Sequence, residues 1–217
     1  MKILISAGPT QEPIDEVRYI TNASSGKMGA ALVEAAVEKG HKVTLVLGPV
    51  TTKPKIKNVR VVDVRTAEEM TNTVLKELKK GFDVFISAAA VADYSPKKPS
   101  RGKIKSGEEI VLRLRPTKKI TSQVKKKFSR VLVVAFKAEV NVSKKALVER
   151  AYSKLCDEKL DLIVANDVEK NRMGYMKTDA YIIDRNRNIH YLKSNKKSVI
   201  GKKIINFIES TLEAKFP

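Results

Sequence analysis

The sequence predicts an α/β fold built on a doubly wound, mostly parallel β-sheet with an antiparallel extension. Short runs rich in β-branched residues alternate along the chain with stretches of helical period, and this alternation is typical of parallel sheets covered by helices on both faces. Several of the runs are apolar at nearly every position, as expected of strands buried on both faces. We find neither an internal repeat nor a linker, so residues 1–217 are predicted to form a single domain.

Six predicted strands form the parallel part of the sheet. They are Lys2–Ala7, Lys42–Leu47 and residues 59–64, 83–90, 131–136 and 161–165. The first, second, fourth and fifth of these are nearly continuous in apolar residues, which indicates burial on both faces.

Four helices are predicted between these strands, over residues 25–39, 66–80, 118–127 and 143–158. Gly40 and Gly81 follow the first two helices, at the place where a left-handed C-cap is expected. A last helix over residues 196–214 carries its apolar side chains at helical spacing and is expected to close the fold.

Two segments break the alternation of strands and helices. Residues 108–115 carry Ile110, Leu112 and Leu114 at alternate positions, and predict one antiparallel strand. Residues 180–184 and 189–192, joined by a turn, predict a hairpin. With the parallel strands they predict a Rossmann-like sheet with an antiparallel extension or hairpin.

Length and composition exclude several classes of protein. The 217 residues are 42% hydrophobic, enough to fill a core, so an intrinsically disordered chain is excluded. One cysteine, Cys156, and two histidines allow neither an internal disulfide nor a Cys/His metal cluster. No apolar run approaches the roughly 20 residues of a membrane span, and the start lacks the features of a signal peptide. We therefore expect a soluble, cytoplasmic protein that does not enter a membrane.

The net charge of +19, from 43 basic and 24 acidic residues, points to anionic partners. Such partners are either nucleic acids or phosphorylated small molecules, and the charge by itself does not separate the two.

The first candidate site lies in the loop after the first predicted strand, because ligands of open parallel sheets bind beyond the carboxyl ends of the strands. This long polar loop begins at Gly8 and enters a helix through Ser24, Ser25, Gly26, Lys27 and Met28. Free N–H groups at a helix start, the positive end of the helix dipole and a lysine together form a seat for an anion. A loop of this length is seldom only a connection.

Two common phosphate-binding motifs do not fit this loop. A P-loop needs glycine five residues before Gly26 and serine or threonine after Lys27, where Thr21 and Met28 stand. The dinucleotide fingerprint needs three spaced glycines directly after the first strand, where the chain has only Gly8. A classical NAD site is therefore not expected.

The second candidate site follows the fourth predicted strand. The small residues 88–90 and 92 let a backbone or a flat ligand approach closely, and Asp93 offers a carboxylate to a ribose hydroxyl or a magnesium ion. A basic stretch follows, with Lys103 and Lys105 near its end. Such a stretch can act as a flexible lid over a polyphosphate and hold the charge that develops as pyrophosphate leaves.

In the order in which they occur, these segments resemble one family, phosphopantothenate-cysteine ligase. The resemblance covers almost the whole chain, and is carried by Gly-Pro-Thr at 8–10, Thr-Asn-Ala-Ser-Ser-Gly-Lys-Met-Gly at 21–29, Ala-Ala-Ala-Val-Ala-Asp-Tyr at 88–94, Lys-Ile-Lys at 103–105 and Ala-Asn-Asp-Val at 165–168. In many bacteria and archaea this domain follows a flavin-dependent decarboxylase. The resemblance here implies a stand-alone ligase.

The resemblance implies a two-step reaction in coenzyme A biosynthesis. CTP, with Mg²⁺ as cofactor, activates the carboxylate of 4′-phosphopantothenate to an acyl-cytidylate, and L-cysteine then displaces CMP. Bacterial-type members of the family favour CTP and eukaryotic ones ATP, and CTP is expected here because the motifs look prokaryotic, although the sequence by itself does not decide between the two. By the same resemblance Asn22 stabilises the acyl-cytidylate and Lys103 is the first lysine of the lid. The family's lid has a lysine where this chain has Ser106.

The resemblance also implies the nucleotide contacts and the assembly. The nucleotide would contact Ser87, Ala88, Ala89, Asp93, Lys103, Lys118, Lys119, Ile120, Thr121, Phe136 and Lys154. A second helix lysine of the family falls at Glu158 or Lys159. Family members are dimers with an antiparallel extension of the sheet at the interface, so residues 108–115 and the hairpin at 181–191 are the candidates for a homodimer contact.

Two other functions remain as alternatives. A nicotinamide-dependent reductase would share the fold, but the fingerprint is missing. A nucleic-acid-binding module would explain the charge, but the 6% aromatic content offers few stacking platforms and no recognition motif accompanies it. Two phosphorylated substrates explain a basic chain without any nucleic acid, so we expect no nucleic-acid partner.

Overall fold

The computed structural model describes residues 1–54, 56–107, 109–168 and 177–215. Its helices and strands are, in chain order, β1 (Lys2–Ala7), β2 (Gln11–Pro13), β3 (Tyr19–Thr21), α1 (Lys27–Glu38), β4 (Lys42–Leu47), β5 (Arg60–Asp63), α2 (Ala67–Leu78), β6 (Val84–Ser87), β7 (Tyr94–Pro96), β8 (Leu114–Pro116), α3 (Ile120–Lys127), β9 (Leu132–Glu139), α4 (Lys144–Asp157), β10 (Leu162–Asp167), β11 (Lys177–Asp184), β12 (Ile189–Lys196) and α5 (Lys197–Lys215).

Eight strands form one sheet, in the order β12-β11-β10-β9-β6-β1-β4-β5. The strands from β10 to β5 are parallel, and β11 and β12 are antiparallel. This confirms the predicted mostly parallel sheet with a hairpin at one edge. The strand order reverses between β1 and β6, because the chain winds outward from β1 to β5 and then returns to β6. Ligand crevices of open sheets lie at such a reversal.

Helices cover both faces of the sheet and bury its side chains. On one face Ile3 and Ile5 of β1 pack with residues of α1 and α5, such as Leu32 and Ile204. On the other face Leu4 packs in a second core with residues of α2, α3 and α4. Alternate residues of one strand thus serve two cores, which is why the run is apolar at every position. Within the described ranges, the helices lack the combination of length and apolar composition that a bilayer crossing demands.

Local signals explain where the helices begin and end. Thr66 caps α2 by accepting the N–H of Glu69, and Ser143 caps α4 in the same way. Gly40 and Gly81 have φ of +78° and +76°, so the predicted left-handed residues after the first two helices are confirmed. The helix α1 differs, because its N-cap is Gly26, with φ of +71° and no side-chain cap.

The prediction of one antiparallel strand over residues 108–115 is wrong. Residue 108 lies outside the described residues, and 109–113 form no strand. Only β8, at the end of the segment, pairs, and its partner is β7 rather than the main sheet. The alternating Ile110, Leu112 and Leu114 are exposed in the chain, so their pattern does not mark an internal core face.

Two further differences concern the strand ends that border the crevice. The strand predicted over 83–90 ends at Ser87, since the chain then turns and Ala90 makes a single bridge with Pro9. The long loop after β1 has a structure of its own, because β2 and β3 pair within it as a short antiparallel ribbon.

Candidate active site

A cavity of about 430 Å³ opens at the carboxyl edge of the sheet. The ends of β6, β9 and β10 form its floor, and the start of α1 and the loops after β6 and β8 form its walls. The structure brings most of the predicted site residues together here, namely Asn22, Ser24, Ser25, Gly26, Lys27, Met28, Ser87, Ala88, Ala89, Asp93, Lys118, Lys119, Ile120, Thr121, Phe136 and Lys154.

The start of α1 forms one wall of the cavity. Gly26 supplies no side-chain cap, so the first turn of α1, which lines the cavity, lacks that common partner for its N–H groups. Close packing holds the turn in place: a Cβ on Gly29 would lie 2.2 Å from Cβ of Ala7 at the end of β1. Gly8 does not line the cavity. It lies behind the loop with φ of +77°, where a Cβ would come 2.9 Å from the carbonyl oxygen of Gly48.

Asn22 links this wall to the loop after β6. Its Nδ2 donates to the carbonyl oxygens of Ala90 and Val91, at 3.1 Å each. Both amide hydrogens are thus used within the protein, and the amide atom left to face a ligand is Oδ1, which accepts hydrogen bonds. The same loop is also fixed by Thr10, whose Oγ1 accepts the N–H of Ala92 at 3.0 Å.

Asp93 lies at the mouth of the cavity, where its carboxylate pairs with Nζ of Lys119. In the part of the chain that the structure describes, no three His, Cys, Asp or Glu side chains form a group that could hold a metal ion. Mg²⁺ needs only one or two carboxylates when phosphate oxygens and water complete its octahedron. Among the described residues that line the cavity, Asp93 is the carboxylate that could supply this share to such an ion.

Lysines concentrate on the wall opposite α1. Lys119, Lys137 and Lys154 line the cavity together. Burial lowers the pKa of Lys154, and the charges of Lys119 and Lys137 lower it further, while Glu158 acts in the opposite direction. Lys137 donates to Glu139 and holds the pKa of that carboxyl below its usual range. An anion in the cavity would relieve the repulsion among these lysines.

A second group of lysines, consisting of Lys27 and Lys197, lies beside the start of α1. Lys197, the first residue of α5, lines the cavity near Lys27. Burial lowers the pKa of Lys197, and the charge of Lys27 adds to this shift. The cavity thus has cationic groups at both ends, as a ligand or ligand pair with two separated anionic groups would require.

Sequence reasoning missed five polar residues of the cavity: Thr117, Lys137, Asn166, Thr178 and Lys197. A signal existed for Lys137, which follows the predicted Phe136 directly, and for Asn166, which lies in one of the segments that carry the resemblance. Lys197 carries no local signal, because only the packing of α5 against α1 brings it to the cavity.

Lys103 was expected to contact the nucleotide, but the structure places it outside the cavity. It is exposed and does not line the cavity. The backbone of its neighbour Ile104 forms hydrogen bonds with the side chains of Asp15 and Arg18. The backbone N–H of Ser100 donates a hydrogen bond to the carbonyl oxygen of Ile14. These contacts hold the loop against the β2–β3 ribbon, outside the cavity wall.

The two positions considered for a second helix lysine differ in placement. Glu158 follows the last residue of α4 and accepts a hydrogen bond from Oγ1 of Thr121, and its Oε1 lies 3.8 Å from Nζ of Lys154. Lys159 has a left-handed backbone, with φ of +54°, and it does not line the cavity. Neither residue supplies a further cation to the lysine wall.

Residues 1–212 match the family described as DNA/pantothenate metabolism flavoprotein C-terminal domain. Among curated proteins, the chain is 43% identical over 169 residues to the Coenzyme A biosynthesis bifunctional protein CoaBC of Thermococcus kodakarensis, covering 77% of this chain and 41% of the relative. It is 41% identical over 211 residues to a Cysteine/Cysteine sulfinic acid decarboxylase of an unknown prokaryotic organism, covering 95% and 57%. The chain spans about half the length of these relatives.

Among solved structures, the C-terminal domain of a Coenzyme A biosynthesis bifunctional protein CoaBC superposes with a TM-score of 0.82. The two chains are 33% identical, and the match covers 98% of this chain and 96% of that one. The predicted Rossmann-like α/β fold is confirmed by this likeness.

Proposed function

Because the chain belongs to the family of the DNA/pantothenate metabolism flavoprotein C-terminal domain, we propose that its cavity is the active site of a phosphopantothenate-cysteine ligase acting in coenzyme A biosynthesis. One observation carries this proposal most directly. A single cavity joins the uncapped start of α1, Asn22 and a wall of lysines, and so offers two anion-binding ends with an amide side chain lining the same space.

The proposed reaction has two steps. A carboxylate oxygen of 4′-phosphopantothenate attacks the α-phosphorus of CTP, and the bond to pyrophosphate breaks. The amine nitrogen of L-cysteine then attacks the acyl carbon, the bond to the CMP oxygen breaks, and the amine loses a proton. Activation is needed because a carboxylate is a poor acyl electrophile, whereas CMP is a good leaving group.

The residues of the cavity suit these steps in distinct ways. N–H groups at the start of α1 and the Lys27–Lys197 pair are arranged to bind phosphate oxygens. Lys119, Lys137 and Lys154 can neutralise charge at the other end. Small residues 88–90 leave room for a flat base against Phe136. Asp93 is the carboxylate available to a magnesium ion carried by the nucleotide, and that ion would neutralise phosphate charge.

Pyrophosphate release with 4′-phosphopantothenate, cysteine, Mg²⁺ and each nucleoside triphosphate in turn tests the proposal. We expect release that depends on all four components and is fastest with CTP. The same samples are assayed for CO₂ from cysteine, the activity named in one relative. Release of CO₂ without pyrophosphate, or no product with any nucleotide, would contradict the ligase.

The lid lysine is tested by neutralising one charge at a time. Lys103→Gln should slow the overall reaction by about tenfold or more, because the developing charge on pyrophosphate loses a cation. Lys98→Gln removes the same charge from the same loop and serves as the matched control, with a much smaller effect expected. Equal effects would mean that the loop contributes only a diffuse positive field.

The proposed homodimer rests on an exposed apolar surface of the two ribbons. Exposed residues of the β2–β3 ribbon, the β7–β8 ribbon and the segment before β8 are Val17, Tyr19, Tyr94, Ile110, Val111, Leu112 and Leu114. A cluster of this kind on a small protein usually marks an interface, and we propose a second copy of this chain as the occupant. The hairpin β11–β12 is less suited, since Ile189 and Tyr191 are its exposed large apolar side chains in the described residues.

A charge on this surface should separate the dimer. Val111 is 80% exposed and Val140, outside the two ribbons, is 63% exposed, so neither replacement by Glu should disturb a core. In sedimentation velocity Val111→Glu should shift mass from dimer to monomer, while Val140→Glu should not. An unchanged dimer with Val111→Glu, or a monomeric wild-type protein, would exclude this interface.

The alternative of a nucleic-acid-binding module makes an opposite prediction for the basic surface. The ligase predicts only weak, sequence-indifferent binding to RNA or DNA at about 0.15 M salt, with Kd of roughly 10⁻⁴ to 10⁻⁶ M, and thermal stabilisation by saturating CTP with Mg²⁺. Submicromolar, sequence-selective binding at that salt, with no thermal shift from any nucleotide, would favour the module.

A further inference from the structure

The carboxylate of Asp15 lies buried at the turn between β2 and β3. Its side chain has no exposed surface. Oδ1 accepts the N–H groups of Val17 and Arg18, at 2.8 and 2.7 Å. These two bonds close a local turn, which many aspartates do. The other carboxylate oxygen, Oδ2, takes no part in these two bonds.

Oδ2 of Asp15 reaches a distant part of the chain. It accepts the N–H of Ile104 at 3.2 Å, from 89 positions away in sequence, and Nη1 of Arg18 at 3.0 Å. The same Nη1 donates to the carbonyl oxygen of Ile104 at 3.1 Å. Both backbone groups of Ile104 are therefore held by one ion pair.

Ile104 stands between Lys103 and Lys105 in the basic loop. The N–H and the C=O of Ile104 belong to the peptide groups that join it to Lys103 and to Lys105, so the two hydrogen bonds restrict the backbone on both sides of Ile104. Earlier in the loop, the N–H of Ser100 donates to the carbonyl oxygen of Ile14, the neighbour of Asp15, at 2.8 Å. The β2–β3 turn thus anchors the loop at two points.

A purely local role for Asp15 does not account for these contacts. A turn needs only the bonds to Val17 and Arg18, and an asparagine would supply them. The bond from the Ile104 N–H requires a second acceptor oxygen on residue 15, and the ion pair with Arg18 requires a charge. A carboxylate suits both requirements.

We propose that Asp15 is a positioning residue, which through Arg18 and Ile104 anchors the backbone of the loop beside the cavity, so that the side chain of Lys103 reaches towards the nucleotide from a fixed starting point. This inference rests on the proposed ligase function for the role of Lys103. The anchoring of the loop is a separate property of the fold, and can be measured without any substrate. In support, the N–H of Arg18, followed by those of Val17 and Ile104, holds the pKa of Asp15 below its usual range against the effect of burial.

The first experiment measures the loop in the full chain without nucleotide. Asp15→Asn keeps the shape of the side chain but loses the charge. We expect hydrogen exchange at Ile104 and tryptic cleavage after Lys103 to accelerate by about tenfold, with core amides of β1 unchanged. Asp184→Asn is the matched control, because Asp184 also accepts two bonds within a turn, both from Asn188, far from the loop. Unchanged exchange at Ile104, or equal acceleration in the core, would overturn the anchoring.

The second experiment is a double-mutant cycle in the ligase assay. If Asp15 acts through Lys103, Asp15→Asn should lower kcat several-fold in the wild-type background and have little further effect on Lys103→Gln. Additive effects of the two variants would overturn the positioning role. If the wild-type protein has no ligase activity, the proposed function and the role of Lys103 in it are refuted. If Asp15→Asn still accelerates hydrogen exchange at Ile104 in that case, the anchoring of the loop by Asp15 remains established.

Discussion

Replacement of Asn22 by Asp should leave CTP consumption in place and slow amide formation by on the order of a hundredfold, or roughly 3 kcal/mol in activation free energy. Acyl-cytidylate should then accumulate, because its formation does not depend on the amide while its attack by cysteine does. Quenched-flow samples separated by anion exchange would measure the intermediate directly.

The Asp variant also distinguishes a donor from an acceptor at this position. In the structure Nδ2 of Asn22 donates to Ala90 and Val91, so stabilisation of an oxyanion by Nδ2 requires the side chain to leave these carbonyls. An aspartate keeps acceptor oxygens and loses both donors. Normal amide formation by Asn22→Asp would therefore exclude the donor role.

Loosening of the loop after β6 needs a control of its own, because the Asp variant also loses two bonds to that loop. Thr10→Val removes the acceptor of the Ala92 N–H from a residue that does not line the cavity. It should lower thermal stability without accumulation of acyl-cytidylate. Accumulation in both variants would assign the effect to loop order rather than to the amide.

Gly29→Ala should destabilise the fold by about 2–3 kcal/mol and abolish stabilisation by nucleotide. In an exposed helix alanine is favoured over glycine by roughly 1 kcal/mol. Here the new Cβ would lie 2.2 Å from Cβ of Ala7, so α1 must move away from β1, and overpacking of this kind typically costs about 1–3 kcal/mol or more. The melting temperature should fall by roughly 5–10 °C.

Exchanging the small side chains of residues 7 and 29 tests whether their contact causes the loss of stability. Ala7→Gly removes the atom that the new methyl group meets, so the double variant with Gly29→Ala should recover most of the lost stability and the thermal shift with CTP. Ala7→Gly alone provides the reference for the cycle. No recovery in the double variant would mean that the loss arises elsewhere than at the contact between α1 and β1.

Much of the fold could be predicted from the sequence because local signals and tertiary requirements agree. The bounds of β1 and β4 were predicted to the residue, since a strand that serves two cores is apolar throughout. The helices α2 and α4 begin at side-chain caps, and left-handed glycines follow α1 and α2. The two short ribbons were not found, because strands of three residues are too short to show a period.

For the candidate site too, some features could be predicted from the sequence and others could not. Its loops could be predicted because their unusual composition, such as the Ser-Ser-Gly-Lys start of α1 and the small residues after β6, follows directly from their backbone geometry. Roles assigned to individual residues, including Asn22 and Lys103, remain predictions. The structure tests only whether a predicted residue lines the cavity, and Lys103 and Gly8 do not line it.

By itself the sequence determined the strands of the eight-stranded sheet and the five helices that cover it, and it predicts that the loops at the strand ends bind anions. The tertiary structure alone decided which distant side chains meet. Lys197 joins Lys27 because α5 packs on α1, and Ile104 meets Asp15 across 89 positions of chain. Such meetings depend on strand order and on helix packing, which no local pattern of residues records.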